Sequence, residues 1–452
     1  MFFAILAYKR SHMKKTILLI FAAATLVFGC CSKKETSTSE IQEEQVQPVF
    51  EGRFSINTQN SDQSKNQNEQ TSQASETQAA EETDNFVKEA KLCELAQKYG
   101  FKVGACISYN QVNRESYIKM LTGDFNTTTA TNEFKAYSLL NQAKSIQNSV
   151  PVMNYAQADA IAKLAQEKGI GIRGHVLVWD AYMSDWFFRE GYKSDGALVS
   201  KEVLEERLAY YIDQVITHFE TEFPGVVYCW DVVNEAVADS ANEWVEGNDF
   251  HIRETRGGSI NRFNEILGPD YVKYAFKCAR QTVNKVNPNI KLFYNDYNTF
   301  YQDKRDAIIR LIKDINKEEK LCDGLGMQGY IGGYGQQAGC MNNNDISLVK
   351  TAIKMYSSLG LEVQLTEVAV RNYDQTQINN HAKFYGNLFR AVISAINEGA
   401  NFTGFTIWGI TDNPSMPKTD YSYKMNGPYC GLFDQYYQPK QAYKEVYKAL
   451  EG

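Results

Sequence analysis

The chain has 452 residues, and its 54 acidic and 47 basic side chains leave a net charge of -7. No basic stripe stands out, which argues against nucleic acid as a partner. The length suits one large domain or two ordinary ones, and the many aromatic residues suit a sugar-binding face as well as any large core.

Residues 13–31 read as an export signal. Lys14 and Lys15 form the positive region, Ile17 to Phe28 the apolar core, and Gly29-Cys30 resembles a bacterial lipoprotein cleavage site. The apolar run is too short, and too soon followed by polar residues, for a permanent membrane span. Translation is expected to start at Met13. The expected location is the cell surface, with the membrane reached only through a lipid anchor on Cys30; an ordinary secreted protein is the alternative. Residues 32–84 are rich in Ser, Thr, Gln, Asn and Glu, and are expected to form a disordered tether. Phe50 to Ile56 is a small apolar island within it that this reading leaves unexplained.

The folded domain is expected over residues 85–452. A helical pattern runs from Phe86 to Tyr99, with Gly100 as its C-cap. Strands then alternate with helices. The strand candidates are Phe101–Ser108, Phe125–Thr129, Gly171–Val178, Val226–Val233, Lys291–Tyr294, Gly324–Gln328, Glu362–Thr366 and Phe402–Trp408. Helical spacing lies between them, as in Ala156–Lys168, Glu202–Phe219, Asp303–Lys317 and Gln377–Glu398. Eight such alternations predict an α/β fold, a (β/α)8 TIM barrel. A doubly wound open sheet is the competitor, but Val103-Gly104-Ala105-Cys106 makes no Gly-rich phosphate turn after the first strand. Seven cysteines fall in this domain with scattered spacing and no metal pattern, and most read as buried small hydrophobes. A Cys340–Cys430 link is one option. No metal or cofactor is expected.

In a barrel the active site sits where the strands end. Two strands end in glutamate: the apolar run 226–233 leads into Asn234-Glu235, and Leu361–Thr366 into Glu367. Packing does not ask for a carboxylate there. Other strand ends carry Asn132 and Lys135, His175 and Trp179, Gln328 and Tyr330, and Trp408. Hydrolysis of a glycosidic bond needs this set: one protonated carboxyl for the leaving oxygen and a second, ionised one to attack the anomeric carbon or activate water. Asn234 can bond a sugar 2-OH, Trp179 and Trp408 offer flat faces, and Lys135 and His175 offer donors. The long stretch between Val237 and Tyr271 carries Asp239, Glu243, Glu246 and Asp249, read as solvated charges, with Trp244 and Phe250 more suggestive of a cleft border.

With the motifs RGHVLVW, WDVVNEA, LFYNDYN, DGLGMQG, LTE, FTIWGITD and GLFDQYYQPKQAY in this order, the chain from Phe86 onward resembles glycoside hydrolase family 10, the retaining endo-β-1,4-xylanases. The resemblance implies Glu235 as acid/base and Glu367 as nucleophile, their carboxyls ~5–5.5 Å apart. It also implies sugar contacts from Asn132, Lys135, His175, Trp179, Asn234, Gln328 and Trp408, and a xylan-type polysaccharide as partner of a monomer.

The chain departs from the family pattern at several positions. Thr131 stands where the family has Glu, and Asp180 where a His follows the tryptophan of LVW. Tyr330 and Ala369 replace a His and an Asp that together support the nucleophile, and Met416 replaces a second tryptophan. The paired change suggests a coherent replacement, with Tyr330 orienting Glu367; a Tyr330 that merely packs at the rim is the plainer option. Met416 would loosen one wall of the cleft and admit decorated substrate. The alternatives left open are another β-linked glycan or glycoside as substrate, or a non-catalytic surface protein that captures glycans.

Overall fold

Eight runs of β-branched and apolar residues become eight parallel strands that close on themselves. They are β1 Lys102–Ile107, β2 Thr127–Ala130, β3 Gly171–Gly174, β4 Val227–Asn234, β5 Lys291–Asp296, β6 Gly324–Met327, β7 Glu362–Val370 and β8 Phe402–Ile407. Each pairs in parallel with the next, and β8 pairs back onto β1, so no barrel edge is left open. The computed structural model describes residues 86–239, 243, 248–331, 341 and 343–452. The export signal, Cys30, the polar tether, Glu246, Trp244 and Cys340 lie outside the described residues.

A helix follows each strand: α1 Glu115–Asp124, α2 Ala156–Lys168, α3 Lys201–Glu222, α4 Tyr271–Val286, α5 Gln302–Ile315, α6 Asn343–Ser357, α7 Ile378–Asn397 and α8 Gln441–Glu451. Each turns one apolar stripe inward. In α7 the stripe is Phe384, Tyr385, Leu388, Phe389 and Val392, all buried at helical spacing. Helices on the outside and side chains in the lumen cover both faces of the strands, which is why β4 reads as a nearly unbroken apolar run and why β7 is buried along almost its whole length.

The exception inside the barrel is a polar layer. Arg173 of β3 is 1% exposed, and its guanidinium pairs with Asp231 of β4 and donates to Gln364 of β7 at 2.8 Å. A buried guanidinium is tolerable only when so engaged. The layer also explains Gly326: a Cβ there would collide with the amide oxygen of Asn295 and the guanidinium of Arg173.

Three sequence expectations shift. The helix predicted from Phe86 to Tyr99 is confined to Leu92–Gln97. Ahead of it the Glu89 and Ala90 amides donate to the Tyr447 hydroxyl, and Phe86 packs edge-on against Tyr443 and Tyr447, so tertiary contacts take residues that propensity would place in the helix. Regular pairing of β3 stops at Gly174 rather than Val178, although Leu177 and Val178 still donate to β4 carbonyls. Glu367 does not end its strand: β7 continues to Val370 because the short strand Tyr330–Ile331 pairs with Ala369 and Val370.

Candidate active site

Glu235 directly follows β4 and has φ +55°, a left-handed turn that throws the chain off the strand. Its amide donates to the Asn295 carbonyl at 2.9 Å, so the turn is pinned to β5. The carboxyl is 7% exposed. One oxygen accepts from Gln328 Nε2 at 2.9 Å and the other from Arg256 Nη1 at 2.8 Å.

Glu367, also 7% exposed, sits on β7. Tyr330 donates its phenol to Oε2 at 2.7 Å, Asn295 Nδ2 lies 3.4 Å from Oε1, and His175 Nε2 stands 4.0 Å from the same oxygen. Burial pushes this carboxyl above its ordinary value, and the charge of Glu235 adds to the push. His175, the Tyr330 hydrogen bond and Lys135 pull the other way.

A run of amides joins the two carboxyls. Gln328 Nε2 donates to Glu235 and to Asn234 Oδ1, Asn295 Nδ2 donates to the same Asn234 oxygen at 2.9 Å, and Asn295 reaches Glu367. This fixes Asn234 with its oxygen inward. Its Nδ2 is buried and has no partner among the described residues, so one donor remains free for a ligand.

Behind Glu367, His175 Nδ1 meets Asp231 Oδ2 at 2.9 Å. Burial would raise the Asp231 carboxyl, but Arg173 and the bond from His175 outweigh it and hold the group below the ordinary carboxylate range. The imidazole is thus oriented from inside the barrel by a fixed ion pair.

Lys135 is nine-tenths buried or more. It donates to Asn132 Oδ1 at 3.1 Å and stands over the rings of Trp179 and Tyr182. Burial lowers its ammonium to about 8, against the attraction of Glu367, Glu235 and Glu133. Tyr182 stacks at a tilt on Trp179 and on Tyr137, so three rings lead outward from the carboxylates. Trp179 Nε1 is another buried donor with no partner among the described residues.

The residues expected from sequence therefore meet at one end of the barrel. Tyr330 is engaged with Glu367 rather than presented free to a ligand. Trp408 is half-buried beside β7, its amide donating to the Val368 carbonyl. Thr131 is half-buried at the end of β2, Ala369 is fully buried opposite Tyr330, and Met416 is half-buried on the loop after β8. Asp239 pairs with Lys304 at 3.1 Å and Glu243 with Arg253, so these charges build the loop after β4, while Phe250 packs against the core. Cys430 is a buried free thiol. Among the described residues no group of three His, Cys, Asp or Glu side chains gathers as a metal site.

Sequence reasoning missed Arg256, Tyr182 and the Arg173–Asp231 pair. Arg256 carries no local signal, because its partner Asp180 is 76 residues away.

Comparison with known proteins decides the lineage. The profile of glycosyl hydrolase family 10 matches residues 91–449, most of the chain. The chain belongs to that family. It is 35% identical over 365 residues to endo-1,4-beta-xylanase A of Thermotoga maritima, covering 78% of this chain and 30% of that protein. It is 32% identical over 357 residues to endo-1,4-beta-xylanase B of Butyrivibrio fibrisolvens, covering 77% and 52%. The chain thus spans about half or less of the length of these relatives. Among solved structures, the CBM22-1-GH10 modules of Clostridium thermocellum endo-1,4-beta-D-xylanase 10B, complexed with xylohexaose, align with TM-score 0.68 and 30% identity over 79% of this chain and 67% of that one. The endo-1,4-beta-xylanase of Caldicellulosiruptor owensensis aligns with TM-score 0.62 and 28% identity over 79% and 99%. The family 10 barrel is therefore the frame in which both glutamates stand.

Proposed function

We propose that this chain is a retaining endo-1,4-β-xylanase that cuts the backbone of xylan and arabinoxylan by double displacement. The observation that carries the reading is the pair of buried glutamates, one directly after β4 and one on β7, tied together through Gln328, Asn234 and Asn295. A protein that only binds glycans has no use for two buried carboxyls placed so.

In the first step Glu367 attacks the anomeric carbon and forms a glycosyl ester. The bond to the leaving oxygen breaks, and Glu235 gives that oxygen its proton. In the second step Glu235, now ionised, takes a proton from water. The water oxygen attacks the same carbon and Glu367 leaves as carboxylate. The free Nδ2 of Asn234 is the donor for the sugar 2-OH, a bond that strengthens as charge develops on the ring. Trp179 and Tyr182 offer ring faces to the sugars, with Lys135 and Asn132 donating and accepting at the hydroxyls.

All of these groups come from one barrel, so a monomer suffices. Export and surface attachment through Cys30 complete the reading. They rest on Lys14, Lys15 and the apolar run to Phe28, and the polar stretch 32–84 supplies reach to an insoluble substrate.

The test is release of reducing sugar from arabinoxylan, wild type beside Glu367→Ala, with NMR on the first-formed anomer. Activity with a β-anomer product, lost about a thousandfold or more in the variant, supports the assignment. Full activity in Glu367→Ala removes the nucleophile. Binding without hydrolysis in the wild type makes the protein a glycan-capture protein.

A further inference from the structure

Arg256 holds the Glu235 carboxyl at 2.8 Å, and a guanidinium so close favours the ionised form of a residue that must carry a proton in the first step. The conflict is met on the other side of the same guanidinium. Arg256 Nη2 donates to Asp180 Oδ1 at 2.7 Å and Nε to Asp180 Oδ2 at 3.0 Å, a two-pronged pair. Side-chain exposure is 5% for Asp180, 13% for Arg256 and 9% for Glu235, so water screens little of this.

Arg256 sits in a small hairpin, Thr255–Arg256 paired with Ser259–Ile260, and Asp180 opens the turn that follows Trp179. Two separate loops thus meet over the acid. The other groups that face Glu235 are Lys135 and Arg253 as cations, Glu367 and Asp296 as carboxyls, and the phenols of Tyr182 and Tyr297; Arg253, whose Nε donates to the Glu235 carbonyl at 3.3 Å, has its own partner in Glu243. Asp296 is paired with Lys304 at 2.8 Å, a cation it shares with Asp239 at 3.1 Å. The guanidinium and Lys135 would then outweigh Glu367 alone if Asp180 carried no charge.

We propose that Asp180 is a positioning residue that acts through Arg256: it aims the guanidinium at Glu235 and cancels its charge, so that Glu235 can hold a proton and the enzyme keeps its activity on the alkaline side. This rests on the reading of Glu235 as the acid. Arg256 keeps the carboxyl in place in both steps, and Asp180 sets how far it favours ionisation.

The test is Asp180→Asn, which keeps the shape and removes the charge. The Glu235 carboxyl is followed by carbon-13 NMR of labelled glutamate, and kcat/KM by pH profile. The exposed positive charge favours the carboxylate, so the carboxyl titrates lower by about one pH unit. The basic limb on xylan moves down with it, costing about tenfold above the limb. A 2,4-dinitrophenyl β-xylobioside needs no proton on its leaving group, so its kcat/KM does not follow that limb. Adding Arg256→Gln to Asp180→Asn removes the uncompensated charge and returns the titration toward wild type.

An unmoved Glu235 titration in a folded Asp180→Asn protein overturns the proposal. So does an equal loss on both substrates at every pH, which marks a structural role. The carboxyl titration needs no turnover, so it reads the proposal even if xylan proves not to be the substrate; failure of that reading shows instead in a wild type inactive on xylan.

Discussion

The Tyr330→Phe variant removes one oxygen and keeps the ring, and it isolates the 2.7 Å hydrogen bond to Glu367. A buried bond to a charged acceptor contributes about 1.5–3 kcal/mol. Neither remaining neighbour replaces it: Asn295 is at 3.4 Å and shared with Asn234, and His175 is at 4.0 Å. Burial already raises this carboxyl, and the phenol is one of the groups opposing that rise. Its loss therefore raises the Glu367 titration further, by about 1–2 units at about 1.4 kcal/mol per unit. In the proposed mechanism Glu367 must be ionised to attack, so activity falls as pH drops through that titration. The acidic limb of kcat/KM on xylo-oligosaccharides moves up by the same amount, and rates below it fall about tenfold per unit. On the plateau the second step suffers more than the first, because there Glu367 departs as a carboxylate that the phenol stabilises. Pre-steady-state measurement with an activated aryl xylobioside separates the steps and shows more glycosyl-enzyme accumulating. An acidic limb unmoved within about 0.3 unit, with the plateau unchanged, refutes the reasoning and leaves Tyr330 as a packing residue.

Three further outcomes follow from the site and the fold. Asn234→Ala deletes the free Nδ2, so kcat/KM falls about 10–100-fold on xylobiosides and much less on analogues lacking the 2-OH; equal loss on both refutes the 2-OH contact. Lys135 is held at about 8 by burial, so it loses its charge as pH rises through that value. KM for xylan then climbs above pH 8 in the wild type, while a Lys135→Gln enzyme shows a high, pH-independent KM; a wild-type KM flat to pH 9 refutes it. Gly326→Ala forces a methyl into Asn295 and Arg173, costing about 1–3 kcal/mol and lowering Tm by a few degrees; an unchanged Tm means the polar layer can shift without cost.

The barrel was legible because its code is local. Most strands are short runs of apolar or β-branched residues with helical spacing on either side, and a glutamate in or after such a run stands out against packing. Asn132, Lys135, His175, Trp179 and Gln328 were legible for the same reason, each following its strand within a few residues. What escaped depends on chain segments far apart. Arg256 matters only because the turn after Trp179 brings Asp180 to it across 76 residues. Tyr182 reads as an ordinary loop tyrosine until Lys135 is seen over its ring at 4.4 Å. The helix from Phe86 failed in the opposite sense: its spacing was helical, but Tyr447 and Tyr443 captured the residues ahead of Leu92.

The departures from the family pattern form one electrostatic design. On the nucleophile side a neutral phenol stands where related chains place an imidazole, and Ala369, buried opposite it, brings no charge to orient a ring. On the acid side a carboxylate joined to Arg256 stands where another imidazole is expected. The imidazole that remains, His175, has Nδ1 committed to an Asp231 already neutralised by Arg173. Besides Lys135, charge near the two glutamates is therefore carried by ion pairs, Arg256 with Asp180 on one side and Arg173 with Asp231 on the other. The pH range of activity then follows from the two glutamates and from Lys135, which faces both, so substitutions at Tyr330 and Asp180 should each act mainly on its own limb, with a smaller effect on the other through the coupling of the two carboxyls.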